Sequence, residues 1–157
     1  PHSRLARYRV GRIAEEAGHL DEALAAYREA ATLSPGWSYP WLRSGLVLRR
    51  LGRLEEALTA MREAHAREPG NRRVRANLGS LLAENGLAQE ARTVLRQLVR
   101  DHPVSLHGWY NLALLELQAG DRQAAAAAAE QAAALRTLTA AEREQVRRLR
   151  EAVAGAD

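Results

Sequence analysis

The chain has 157 residues and a formal net charge of +4; all 23 basic residues are Arg, and Cys, Lys and Phe are absent. This length holds one domain, or one run of repeats, with a buried core, while the lack of Cys excludes a disulfide framework, a thiolate metal site and a thiol nucleophile. No apolar run approaches the roughly 20 residues that cross a bilayer, and the Arg, Ala and Gly bias points to a GC-rich, bacterial genome, so codon usage rather than a nucleic-acid partner accounts for much of the positive charge.

The first predicted helix covers 5–17 and closes at Gly18, because Gly accepts the left-handed backbone that follows a helix end. The second covers 21–33, with Leu20, Leu24, Tyr27 and Ala30 at helical spacing. It stops at Pro35, which cannot continue an interior helix. The stretch LDEALAAYREAATLSPGW, from Leu20, returns 34 residues later as LEEALTAMREAHAREPGN, from Leu54, with 10 of 18 positions identical. Gly11, Gly45 and Gly79 keep the same phase, followed by Ala113. So do Gly18, Gly52, Gly86 and Gly120, and Ala23, Ala57, Ala91 and Ala125. Pro35, Pro69 and Pro103 close three units, and Thr137 stands where a fourth Pro would fall. Four units therefore run over 4–37, 38–71, 72–105 and 106–138. A fixed period of this size predicts a solenoid of two-helix units instead of a single globular core.

Within a unit, Gly11 and Ala23 are expected where the two helices cross, since a missing side chain lets backbones approach. Tyr27, Met61 and Leu95 are expected to fill the gap towards the next repeat. After the fourth unit, Thr139 and Glu142 have the spacing of a capping box and open a last helix within 139–154. Val146, Leu149 and Val153 share one face of it, and Glu144 with Arg148 and Arg147 with Glu151 are i,i+4 pairs. This reads as a cap helix covering the apolar side of the last repeat.

Nothing in the chain has the pattern of a catalytic centre. Its Ser residues lack a nucleophile elbow, and no Gly-rich loop is placed to cradle a phosphate. His102 and His107 are five apart across a Pro-containing turn, not an i,i+4 pair for zinc. The acidic pairs Glu15-Glu16 and Glu55-Glu56 read as solvated helix faces or helix starts, where negative charge suits the dipole. Trp41 and Trp109 are expected to fill repeat cores, and Trp37 to pack between units. No enzyme activity, metal or cofactor is predicted.

In unit two, Trp41, Ser44-Gly45, Leu48, Gly52, Ala57, Met61, Ala64 and Pro69 resemble the tetratricopeptide repeat, as do Trp109, Leu112 and Ala113 in unit four. The resemblance covers 4–138. Arg7 and Arg75 at the early aromatic position, Ala129 for a bulky residue, and the missing last Pro depart from it. It implies an all-α, right-handed superhelical solenoid of antiparallel helix pairs, with helix A of each unit lining a concave groove. It also implies a protein-interaction, scaffold or adaptor role.

On that reading, Arg9, Arg43, Asn77 and Asn111 stand two residues before the helix-A Gly or Ala and form one row. Arg12, Leu46, Ser80 and Leu114 stand one residue after it; Tyr8, Leu42, Ala76 and Tyr110 stand three before. The candidate peptide-binding residues are Tyr8, Arg9, Arg12, Arg43, Asn77, Ser80, Tyr110, Asn111 and Leu114. The basic half in units one and two expects acidic residues in a protein or peptide partner. Asn77 and Asn111 resemble part of the Asn ladder of O-GlcNAc transferase repeat domains, since an amide offers a donor and an acceptor to a peptide main chain. The family's clamp for chaperone C-terminal carboxylates finds Arg12 or Leu46 where it needs Asn, so that ligand is not expected.

Two alternatives stand beside this: the repeat domain of a larger enzyme such as a glycosyltransferase, and a self-assembling scaffold. The second rests on Leu5, Tyr8 and Ile13, which no cap helix precedes. The chain starts at Pro1 instead of Met, as a fragment or trimmed chain would. The compartment is therefore unassigned, with the cytoplasm favoured over a periplasmic or membrane-tethered location.

Overall fold

The computed structural model describes residues 3–155. Every regular element among them is an α-helix: α1 Arg4–Glu16, α2 Leu20–Leu33, α3 Ser38–Arg50, α4 Leu54–Arg67, α5 Arg72–Glu84, α6 Ala88–Asp101, α7 Leu106–Gln118, α8 Arg122–Ala133 and α9 Ala140–Ala154. Predicted and observed helix ends differ by one residue in the first two. The chain divides into two compact units, the first closing at Asn85 and the second opening at Gly86. The first holds α1–α5 and the second α6–α9, so the third predicted repeat, 72–105, contributes one helix to each.

In the first unit α1 pairs with α2 and α3 with α4, while α2 packs on α3 and α4 on α5. The turns inside the pairs are set by Gly. Gly18 and Gly52 have φ of 82° and 74°, the left-handed region that costs other residues strain. The turn then closes on the helix it ends: His19 N donates to Ala14 O at 2.8 Å, and Arg53 N to Leu48 O at 2.9 Å. Gly11 shows why the crossing needs a small residue. A Cβ there would lie 2.6 Å from the Tyr27 ring. Tyr27 therefore fills a gap within its own repeat, and its hydroxyl is the part that reaches α3.

In the second unit α6 packs on α7, α7 on α8, and α9 against both α8 and α7. Ala125, Ala128, Ala129 and Ala132 form the buried face of α8. Thr139 and Glu142 complete the capping box in both directions, with Thr139 N to Glu142 Oε2 at 2.7 Å and Glu142 N to Thr139 Oγ1 at 3.2 Å. Val146, Leu149 and Val153 are buried along α9. Val146 joins Ala132 and Leu138 in a cluster against which Leu106, Trp109, Ala133 and Leu135 pack. On the outer side Glu144 accepts from Arg147 at 2.7 Å and from Arg148 at 2.8 Å. No described helix is long and apolar enough to cross a membrane.

Candidate functional site

In the first unit the candidate residues sit on α1, α3 and α5, the helix-A elements. Tyr8 is half-buried, because its ring stacks on Tyr27 at 5.5 Å and on Trp37 at 4.8 Å. The Arg4 guanidinium lies 5.8 Å from the centroid of Trp37 and closes this aromatic group. Tyr8 thus has a cover from its own repeat, contrary to the expectation of a bare first helix at that position. Leu5 and Ile13 are exposed as expected, Ile13 by 68%, and Val10, which was not among the expected residues, is exposed as well. Leu42 and Ala76, in phase with Tyr8, are buried, so in the first unit that row belongs largely to the core.

The Arg residues divide by partner. Arg9 is exposed and makes no ion pair among the described residues. Arg12 pairs with Glu16 at 2.7 Å on an exposed face. Arg43 is half-buried and meets Glu15 at 2.8 Å, while Arg50 approaches the same carboxylate at 3.6 Å. The Tyr27 hydroxyl donates to Glu15 at 2.7 Å and accepts from Arg43 Nε at 3.4 Å. Burial pushes the Tyr27 phenol well above its ordinary pKa; the Arg43 hydrogen bond pulls it back, and the Glu15 carboxylate adds to the rise. The reading of Glu15 as a solvated helix face is corrected here. Its side chain is 10% exposed, because α3 brings Arg43 over it. Glu16 and the Glu55-Glu56 pair do lie on exposed faces.

Along α5, Asn77 is half-buried and its Nδ2 donates to Arg73 O at 2.8 Å, one turn back. Ser80 donates to Glu84 at 3.2 Å, and Glu84 also pairs with Arg49 of α3. In the second unit Tyr110, Asn111 and Leu114 are half-buried on α7, and Asn111 is already engaged within the fold. Trp109 sits in the cap-helix cluster, where its Nε1 donates to Pro103 O at 2.7 Å.

A charged cluster escaped the sequence reading. Glu116 on α7 is 2% exposed, and its two oxygens accept from Arg92 of α6 at 2.7–3.1 Å and from Arg96 at 3.1 Å. The Arg92 hydrogen bonds hold this carboxyl below its ordinary pKa, against burial, which acts the other way. The signal was present in the repeat phase. Glu116 stands in register with Leu48 and Leu82, and Arg92 with Leu24 and Leu58. A charge in two otherwise apolar columns, each facing the other, marks a buried pair.

Comparison with known proteins follows the same lines. The tetratricopeptide repeat family matches residues 5–37, 48–115 and 106–137. No curated protein matches the sequence. Among solved structures, MamA from residue 41 onwards, of Desulfovibrio magneticus RS-1, is 18% identical with a TM-score of 0.77, over 97% of this chain and 89% of that one. YrrB, described as a TPR protein with an unusual peptide-binding site, is 18% identical with a TM-score of 0.77, over 94% and 75%. PilW, described as a widely conserved type IV pilus biogenesis factor, is 20% identical with a TM-score of 0.81, over 99% and 72%. At such identities the likeness carries the fold. Helices paired at a 34-residue phase, Gly turns in register and three family matches lead to one assignment: the chain belongs to the tetratricopeptide repeat family, whose members are in general protein-interaction modules and typically non-catalytic.

Proposed function

We propose that the chain binds an extended segment of a protein partner on the helix-A side of its repeats, with acidic residues of the partner opposite the first unit. The observation that carries this is the charge balance there. Arg9, Arg12, Arg43 and Arg50 set four guanidinium groups against the two carboxylates of Glu15 and Glu16. Arg12 and Arg43 are held by those carboxylates, so an incoming acid competes for them, and Arg9 is the group it meets first. Asn77 spends one Nδ2 hydrogen on its own helix, which leaves amide chemistry suited to a peptide main chain. Ser80 supports the same face. Tyr110, Asn111 and Leu114 give the second unit a less charged contact surface. The peptide-binding site described for YrrB supports this class of ligand.

An array of immobilised peptides of varied charge tests it. Acidic peptides should be retained over basic ones, with retention falling as salt rises, because exposed charges are screened within roughly 8 Å at physiological ionic strength. Arg9→Gln should weaken acidic peptides, whereas Asn77→Ala should weaken all peptides alike, by roughly 0.5–1.5 kcal/mol, and do so at high salt too. Retention indifferent to peptide charge would remove the acidic partner. Light scattering on the same samples bears on the second reading, self-association. Leu5, Val10 and Ile13 on α1 are half of the six large apolar side chains exposed among the described residues. A mass that rises with concentration would support pairing through α1, and a constant mass would remove it.

A further inference from the structure

We infer that the seam between α8 and α9 binds a medium-chain alkyl carboxylate, its tail over an Ala-lined pocket and its head on Arg143 and Arg150. None of these residues belongs to the peptide-binding set. The space has a visible origin in the repeat. One column reads Leu24, Leu58, Arg92 and then Ala126; another reads Tyr27, Met61, Leu95 and then Ala129. Leu24 and Leu58 are buried, whereas Ala126 lies open to solvent. Two bulky columns thus step down to Ala in the same repeat. The result is a pocket of about 600 Å³ whose lining includes Ala126, Ala129, Val153 and Ala154. That volume lies within the range of small-molecule sites. In the other repeats the same columns are filled mostly by Leu, Met and Tyr side chains, so an apolar body suits the space.

A further helix packed as in a repeat does not fit here. α9 keeps the phase of helix A, and the column that lets helix B cross reads Gly11, Gly45, Gly79, Ala113 and then Arg147. A Cβ alone at Gly11 would already overlap its neighbour. The Arg147 guanidinium, held by Glu144 and Glu151, closes that seat on α9. The occupant is therefore slimmer than a helix.

The charge of the head follows from the other end of the seam. A recess of about 180 Å³ adjoins the pocket, shares Arg147 and Arg150 with it, and reaches Leu138 and Ala133. Arg143 completes its lining, which holds three guanidinium groups and no carboxylate. The carboxylates of the larger pocket are already paired, Glu130 with Arg150 and Glu151 with Arg147. Arg150 gives only its Nε to Glu130, at 2.7 Å. Arg143 makes no side-chain hydrogen bond or ion pair among the described residues. The N–H groups left on these two match the planar oxygens of a carboxylate and offer nothing to a cation. From Arg143 to Ala154 the helix advances about 16 Å, the span of a tail of about ten carbons.

The test titrates the ¹⁵N-labelled chain with decanoate below its micelle concentration and follows the amides of Ala126, Ala129 and Val153. Acetate carries the head without the tail, and decyltrimethylammonium the tail with the opposite charge. Decanoate should shift these amides saturably. Decyltrimethylammonium should bind about tenfold more weakly, for want of the charged hydrogen bonds, and acetate at least about a hundredfold more weakly, for want of buried CH₂ groups. Arg143→Gln, at an exposed position without a partner, should keep the fold and weaken decanoate about fivefold. Ala129→Leu copies Leu95 of the preceding repeat and should fill the pocket and abolish the response. If that variant fails to fold, Ala126→Leu, which copies Leu24 and Leu58, should do the same. No saturable shift with decanoate would overturn the proposal. So would decyltrimethylammonium or acetate binding as tightly as decanoate, or decanoate bound undiminished by the filled pocket. Peptide retention on the helix-A side should not change in any of these variants.

Discussion

The α2–α3 and α4–α5 contacts of the first unit and the α6–α7 contact of the second use the same two columns of the repeat for opposite chemistry. In the first unit the columns hold Leu24 with Leu48, and Leu58 with Leu82, all buried. In the second they hold Arg92 and Glu116, joined by hydrogen bonds from Nε and Nη2 of the guanidinium. Apolar pairs are non-directional and tolerate sliding. A buried ion pair pays for its desolvation only when its geometry is met, so it favours one register more than it favours folding. The volume columns differ in the same way. Gly11 meets Tyr27 and Gly45 meets Met61 in the first unit, whereas Ala113 and Ala129 are both small and buried in the second. With Ala129 in place of a bulky residue, α8 and α9 leave a pocket of about 600 Å³ floored by Ala126, Ala129, Val153 and Ala154. The same repeat frame thus accepts a packed aromatic core in one unit and a thin Ala face in the other.

The thin face makes the second unit depend on α9. Ending the chain after Arg136 should give the largest effect. Val146, Leu149 and Val153 each contribute about 1.5–3 kcal/mol by burial, as an upper range, and Trp109 loses its cover. Hydrogen exchange should then show the amides of α7 and α8 unprotected while those of α1–α4 keep their protection. Unchanged exchange in α8 would break the comparison.

The ion pair comes next. Arg92→Leu should cost up to about 3–5 kcal/mol, because it leaves the buried Glu116 carboxylate with Arg96 as its one remaining ion-pair partner. Adding Glu116→Leu should restore the pattern of the first unit and return stability to the parent's level, or about 1–4 kcal/mol above it. Urea unfolding of both variants measures this, and a double variant as weak as the single one would show that the columns are not equivalent. The pH dependence sharpens it. The folded pKa of Glu116 lies below the unfolded one, so its contribution is complete above the ordinary carboxylate range and is lost as pH falls through the folded value. The double variant should lack that part of the acid sensitivity.

The volume columns give the smallest effect. Gly11→Ala should cost about 1–3 kcal/mol, since the new Cβ overlaps the Tyr27 ring. Ala113→Gly should cost about 1 kcal/mol, mainly from helix propensity. Thermal unfolding ranks the two, and the reverse order would mean that Tyr27 gives way freely.

The amino-acid sequence by itself determined the repeat phase, the helix pairs, the Gly turns and the Thr139–Glu142 cap. Each of these is chain-local: a left-handed turn, a capping box or a helical period involves residues a few positions apart, so residue type and spacing suffice. It also placed Arg9, Asn77 and Ser80 on an accessible helix side, because that follows from phase. Tertiary structure alone decided which charges are spent. Glu15 is met by Arg43 and Arg50 from another repeat, Glu116 by Arg92 and Arg96 from another helix, and Tyr8 by the rings of Tyr27 and Trp37. Arg is long and flexible, and several carboxylates lie within its reach. Which one it takes depends on how neighbouring helices dock, and the order of residues along the chain does not specify that.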